Sequence, residues 1–251
     1  MILLLVAAAG FVAGFMNVLA GGGSFVTLPA LIVAGLSALG ANASSTVALF
    51  PAQAITAFMA RKDMVLPESA NGVSVRGLSI IALIGGFFGA LLLLVTPPGV
   101  FLKIVPWLIL FATGVFARGD AISRGASGMV FDRRAIYATQ SVVSIYGGYF
   151  GGGIGILMLA ALTVFGFRDM RAMNSMKIVL AMLMNVAAVG TFTLAGLVQW
   201  KPTLALSLGA VLGGLVGMTA ARRMPARYVR WFVITVGVVL TVAFFAKAAG
   251  A

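Results

Sequence analysis

The sequence contains no cysteine and no histidine. A chain without these side chains has no thiol chemistry and no disulfide, and it offers no haem ligation and no Cys/His zinc site. The lack of histidine also excludes a Ser-His protease and an H-E-x-x-H metalloprotease. We therefore predict a protein that is not an enzyme and that has no metal site and no cofactor.

Acidic residues are scarce as well. The carboxylates, which all fall in predicted loops, are Asp63, Glu68, Asp120, Asp132 and Asp169. Cation pumps and proton-coupled carriers usually place an Asp or Glu inside the membrane. The absence of such residues from the apolar segments argues against cation transport, a carboxylate proton relay and an aspartyl intramembrane protease.

Charged residues of either sign make up only 9% of the chain, whereas 62% of its residues are hydrophobic. Soluble domains contain about 25% charged residues, so this composition predicts an all-α polytopic protein embedded in a lipid bilayer. The net charge of +12 comes from Lys and Arg scattered in short loops, which is a pattern of membrane topology and not of nucleic-acid binding. Residues 1–20 lack the basic start and the cleavage site of a signal peptide, and we interpret them as a retained first helix.

Ten apolar runs follow one another along the chain, at 2–20, 24–36, 42–60, 77–95, 100–117, 135–150, 154–166, 178–197, 202–221 and 228–246. Most of them approach the ~20 residues that a helix needs to cross the hydrocarbon. Two runs, 24–36 and 154–166, are shorter, and each follows a glycine triplet, which breaks a helix. Each short run is therefore predicted to be the second arm of a re-entrant helical hairpin.

The basic loops predict the orientation of these segments; they are 61–76, 118–134, 167–177 and 222–230. The positive-inside rule places all of them in the cytoplasm. This requires the hairpin 2–36 to enter from the outside and the hairpin 135–166 to enter from the inside. Each half is then one hairpin plus three transmembrane helices, so the second half is inverted, as in many secondary transporters. We predict the two inverted repeats to be 1–120 and 121–251, together one transmembrane domain with both termini outside.

Two sequence matches support a duplication. The segment GGGSFVTLPAL at 21–31 aligns with GGGIGILMLAAL at 151–162. Further along, NASS beginning at Asn42 aligns with NSMK beginning at Asn174. The two matches occur in the same order in each half, each behind a glycine triplet.

The glycine turns are the first candidates for a binding site. A turn that starts a new half-helix presents free N–H groups and the positive end of the helix dipole, and both suit an anion. A hairpin with a purely structural role is the alternative.

Polar side chains on two aligned helices are the second candidates. The spacing i, i+4, i+11 puts Asn42, Thr46 and Gln53 on one helical face, and their repeat equivalents share a face in the same way. Such a stripe should face protein or a water-filled cavity, so these residues either bind a ligand or form interhelical hydrogen bonds. Lys177 either supplies a fixed positive charge to the site or snorkels to the surface. The predicted anion-binding residues are Gly21, Gly22, Gly23, Ser24, Asn42, Ser44, Ser45, Thr46, Gln53, Gly151, Gly152, Gly153, Gly155, Asn174, Ser175, Lys177 and Asn185.

These motifs resemble those of the TauE/SafE family of sulfite and organosulfonate exporters. The resemblance rests on GGGSFVTLPAL with Pro29, the polar segment Asn42–Thr46, the second turn GGGIG, and NSMK ending on Lys177. It runs over nearly the whole chain in order. It implies a bacterial cytoplasmic-membrane transporter for a small oxidised-sulfur anion such as sulfite or a sulfonate.

We therefore predict a secondary transporter, with export as the direction that the resemblance implies, which works by alternating access around an anion site near the midplane. An anion channel built on the same site is one alternative. A membrane scaffold or accessory subunit without a substrate is the other. The exact anion, the coupling ion and the oligomeric state stay open.

Overall fold

The computed structural model describes residues 1–19, 21–64, 73–118, 132–167, 169–220 and 226–249. Within these ranges the chain forms ten α-helices and no strand: α1 Ile2–Leu19, α2 Ser24–Val33, α3 Ala38–Ala60, α4 Val75–Val95, α5 Pro98–Ala117, α6 Arg133–Tyr149, α7 Ile154–Val164, α8 Met170–Leu194, α9 Trp200–Ala220 and α10 Ala226–Ala249. A single 3₁₀ turn, Arg61–Asp63, follows α3. The prediction of an all-α polytopic membrane protein is confirmed.

Among the described residues, six helices are long and apolar enough to cross a membrane: α1, α3, α4, α5, α8 and α9. Five of them are helices that the sequence predicts to cross. The helix α1, predicted as the first arm of a hairpin, has 18 residues and meets the length by itself. Its partner α2 has only ten residues, which is too few to return across the hydrocarbon. The first hairpin is therefore re-entrant because of the length of α2.

The start of α8 corrects the predicted boundary at residue 178. The helix begins at Met170, because the carboxylate of Asp169 accepts hydrogen bonds from the backbone N–H groups of Arg171 and Ala172. This is the N-cap arrangement that satisfies the first free donors of a helix. As a result Lys177 lies two turns inside α8 and not in a loop.

Other predicted loop acids also have structural roles. The Asp132 carboxylate accepts from Arg134 N at 2.6 Å and caps α6. The Asp63 carboxylate lies 3.0 Å from the Arg171 guanidinium and joins the end of α3 to the start of α8. Glu68 and Asp120 lie outside the described residues.

Helices α1 and α9 pack closely through glycine. A Cβ added to Gly209 would lie 1.9 Å from Ala7 O, and one added to Gly213 would lie 1.9 Å from Phe11 O. The residue numbers at these contacts increase together, from Ala7 with Gly209 to Phe11 with Gly213. Helices α1 and α9 therefore run parallel. Small residues let the two backbones approach to this distance, as in small-xxx-small helix pairs.

The same arrangement recurs between α4 and α6. A Cβ added to Gly85 would lie 2.4 Å from Ser144 Cβ, and one added to Gly89 would lie 2.1 Å from Ile145 O. These helices are again parallel. The first arm of each hairpin therefore lies along a helix from the other half of the chain.

We expect Gly213→Ala to lower stability by about 1–3 kcal/mol, the usual effect of overpacking a tight contact. The added methyl has no room against Phe11 O. Thermal unfolding in detergent would measure the loss. Gly114→Ala is the matched control, since a Cβ there meets nothing within 4 Å. Equal unfolding temperatures for the two variants would contradict the close packing of α1 on α9.

Candidate functional site

The two glycine turns meet inside the protein. Gly21 has a φ of +74°, and a Cβ added there would lie 2.3 Å from the Cα of Gly155 at the start of α7. The second turn also contacts the first hairpin, because a Cβ added to Gly153 would lie 3.2 Å from the Phe25 ring. The tips of the two hairpins are therefore in contact.

The glycine N–H groups divide into two sets. Gly21 N donates to Asn17 O at 3.0 Å and Gly151 N donates to Tyr146 O at 3.3 Å, so both close the end of a preceding helix. Among the described residues, no acceptor bonds to the N–H groups of Gly22, Gly23, Gly152 and Gly153. This second set keeps the donor capacity that an anion site requires.

A small cavity of about 20 Å³ lies where the turns meet α3 and α8. Its polar or turn-forming lining residues are Asn17, Gly21, Gln53, Thr56, Gly155 and Lys177. The volume is near that of one water molecule. Side chains from both halves of the chain thus converge on one polar point inside the helix bundle.

Lys177 is the charged side chain in this lining. It is 1% exposed, and its Nζ donates to Val18 O at 3.4 Å. It therefore points inward and does not snorkel. An ammonium has three N–H donors, and Val18 O accepts one of them. Among the described residues no carboxylate lies within ion-pair distance of Lys177.

A larger chamber of about 750 Å³ adjoins this cavity and shares Val18, Thr56 and Ile178 with it. Its other lining residues include Lys62, Asp63, Arg171, Asn174 and Ser175. Most of these belong to the ends of α3 and α8 that carry the predicted cytoplasmic loops. The chamber thus connects the cavity with that end of the bundle.

Hydrogen bonds across the two halves hold several other predicted residues. Asn185 Nδ2 donates to Gln53 Oε1 at 2.6 Å. Asn42 Nδ2 donates to Tyr149 O at 3.1 Å. Gln199 N donates to Ser44 Oγ at 3.1 Å.

Two more polar side chains of α3 have partners within the first half. The hydroxyls of Ser45 and Thr27 bond to each other, and Thr46 Oγ1 donates to Asn42 O at 3.0 Å. Much of the predicted polar stripe therefore serves helix packing in this conformation.

The structure thus sorts the predicted site residues by position. Gly21, Gln53, Gly155 and Lys177 line the cavity, Asn174 and Ser175 line the chamber, and Asn185 bonds to a cavity residue. The other turn glycines and Ser24 flank the cavity in sequence, whereas Asn42, Ser44, Ser45 and Thr46 are bonded elsewhere.

Sequence reasoning missed two residues of the cavity, Asn17 and Thr56. The sequence contains a feature that could have identified each of them. Asn17 is the polar residue of an otherwise apolar α1, four positions before Gly21. Thr56 follows Gln53 by three positions, which places it on the same helical face.

The bond between Gln53 and Asn185 can be tested by a double-mutant cycle. We expect Asn185→Ala to cost about 1–3 kcal/mol, because it leaves the buried Gln53 oxygen without its donor. Adding Gln53→Ala should then cost much less than it does alone. The free energy of unfolding of the four proteins, measured in detergent, gives the coupling. Additive losses would show that the two amides act independently.

Residues 6–244 match the family described as Sulfite exporter TauE/SafE. The chain belongs to the TauE/SafE family. The TauE/SafE match covers both hairpins, the cavity and the chamber. No solved structure matches the chain.

Curated TauE/SafE-like relatives carry transporter names. A "Probable membrane transporter protein ORF9" from Sinorhizobium sp is 30% identical over 95% of this chain and 90% of the relative. A "Probable membrane transporter protein" from Haemophilus influenzae is 29% identical over 92% and 90%. The "Probable membrane transporter protein YfcA" of Escherichia coli K12 is 27% identical over 91% and 84%. This TauE/SafE protein is thus an integral membrane protein of a transporter family.

Proposed function

We propose that this protein carries a small oxidised-sulfur anion, such as sulfite or an organosulfonate, across the bacterial cytoplasmic membrane. Export is the proposed direction. The family description and the transporter names of the relatives support the general activity. The observation that carries the proposal is the buried Lys177 ammonium beside the meeting point of two glycine turns.

Charge and hydrogen bonding both favour an anion. A buried ammonium without a carboxylate partner is costly in a low-dielectric site, and a bound anion supplies the missing counter-charge. Neutral donors add to it, namely the Asn17 amide in the lining and the turn N–H groups next to it in sequence. Desolvating an anion requires several converging donors, and the site offers donors of three kinds.

The same residues disfavour a cation. The described lining of the cavity contains no carboxylate. The Gln53 oxygen, which could face a cation, accepts a hydrogen bond from Asn185. Positive charge at Lys177 would repel any cation that reached this point.

Alternating access is the proposed mechanism, with 1–120 and 121–251 as the two inverted repeats and with both termini outside. The chamber supplies access from the loop end of α3 and α8. At the other end of α3, bonds from Asn42 and Ser44 to the second half support closure. In the opposite state we expect these bonds to break and the chamber to close around Asn174 and Ser175.

Reconstitution tests the proposal. Proteoliposomes loaded with labelled sulfite, sulfate, thiosulfate or methanesulfonate should release at least one of the four with saturable kinetics. Unlabelled anion on the opposite side should accelerate that release, because a carrier exchanges one bound anion for another. Flux without such acceleration would favour an anion channel, and no flux of the four anions would leave a scaffold or accessory role.

A further inference from the structure

Among the residues that the structure describes, none supplies a counter-charge to Lys177. The helices α1, α3 and α7, whose residues surround its side chain in the cavity, carry no titratable side chain. The titratable or charged groups on the other elements packed against α8 line no part of the cavity; they are Arg76 on α4, Arg133, Arg134, Tyr137, Tyr146 and Tyr149 on α6, and Arg61, Lys62 and Asp63 in the 3₁₀ turn. On the chamber wall, Lys62 and Arg171 add positive charge and Asp63 is paired with Arg171.

A buried amine can avoid an unpaired charge by losing its proton. An isolated charge in a site poor in water is disfavoured by several kcal/mol. A lysine can respond by giving up its proton, whereas an arginine stays charged. A bound anion reverses the preference, because the ammonium then has an ion-pair partner. Anion binding and proton binding at Lys177 therefore strengthen each other, and such coupling is reciprocal by linkage.

We propose that the proton is the coupling ion of this carrier and that Lys177 binds it. The inference rests on the function proposed above. When the anion leaves, one N–H bond of the ammonium breaks, the electron pair stays on Nζ, and the proton passes to water in the chamber. When the next anion enters, Nζ takes up a proton from water. One proton thus accompanies each anion, and transport of a monovalent anion moves no net charge.

Proton movement can be measured directly. Proteoliposomes loaded with methanesulfonate, sulfate or thiosulfate, which keep their charge near neutral pH, would contain a pH-sensitive dye, with the membrane potential clamped at zero. We expect the lumen to become more alkaline as the anion leaves, by about one proton per anion. An imposed difference of about two pH units should sustain a gradient of a monovalent anion of up to roughly 100-fold.

Lys177→Arg tests proton release separately from positive charge. The guanidinium keeps the positive charge but does not release a proton, so the net anion release that this variant retains should move no protons. Lys201→Arg is the matched control, because Lys201 is exposed at the start of α9 and its variant should keep the wild-type ratio.

Three results would overturn the inference. Anion flux with no change of luminal pH removes proton coupling and leaves the proposed function intact. A wild-type proton ratio in Lys177→Arg assigns the proton to another group. No flux of any tested anion, sulfite included, overturns both the coupling and the proposed function.

Discussion

Replacing Lys177 with methionine is expected to reduce anion flux roughly 100-fold. The change keeps the length and the apolar stem of the side chain and removes only the charged end. Losing one partner of a buried, hydrogen-bonded charge pair costs about 2–5 kcal/mol, and about 3 kcal/mol corresponds to the expected factor. Initial rates of anion release from proteoliposomes, compared at equal protein content, would measure the effect.

Stability distinguishes a binding role of Lys177 from a structural one. If Lys177 serves the anion, Lys177→Met should leave the unfolding temperature of the anion-free protein unchanged or higher, because a buried polar group with a single hydrogen-bond partner has been replaced by an apolar group. Lys201→Met, at an exposed position on α9, is the control and should match the wild type in both assays. Unchanged flux in Lys177→Met would remove this residue from the proposed site.

Gly21→Ala is expected to lower anion flux by at least about tenfold. Gly21 has a φ of +74°, which disfavours a residue with a Cβ by about 1–2 kcal/mol. The new Cβ would also lie 2.3 Å from the Cα of Gly155, so the two hairpin turns must separate. Separation changes the lining that Gly21 and Gly155 give to the cavity, and flux measurements together with thermal unfolding would report both effects.

Gly196→Ala isolates the contact from the backbone strain. Gly196 has a φ of +69°, but a Cβ there meets nothing within 4 Å. It should therefore show a similar loss of stability from strain and keep its anion flux. If both variants transported equally well, the contact between the turns would have no part in transport.

The glycine triplets are the sequence feature that predicted the two hairpins of the fold. Three adjacent glycines stop a helix, so the two hairpins could be expected from Gly21–Gly23 and Gly151–Gly153. The start of α8 was predicted only in part, because the polar stretch 167–177 was assigned to a loop although Asn174 and Lys177 were placed on a helical face; the helix begins at Met170. The side chains of this stretch are polar because they line the chamber or the cavity, and periodicity alone does not distinguish these two situations.

The pairing of helices could not be predicted in the same way. Small residues at Gly85, Gly89, Gly209 and Gly213 indicate a close helix contact, but they do not specify the partner helix. The repeat alignment set Gln53 opposite Asn185, yet the direct bond between their amides depends on the distance between α3 and α8. Whether Lys177 points inward likewise depends on the depth of α8 in the bundle.

The parallel contact between α1 and α9 has a consequence for how the protein is made. Helix α1 leaves the ribosome before α9, which follows only after the helices described between them have been synthesised. During this time α1 lies in the bilayer without the partner that covers its carbonyl face at Ala7 and Phe11. Its mean hydropathy of 2.4 suits a helix that exposes this face to lipid until α9 is present. A chain that stops before α9 would leave this face of α1 uncovered, and we expect such a chain to be degraded by membrane quality control.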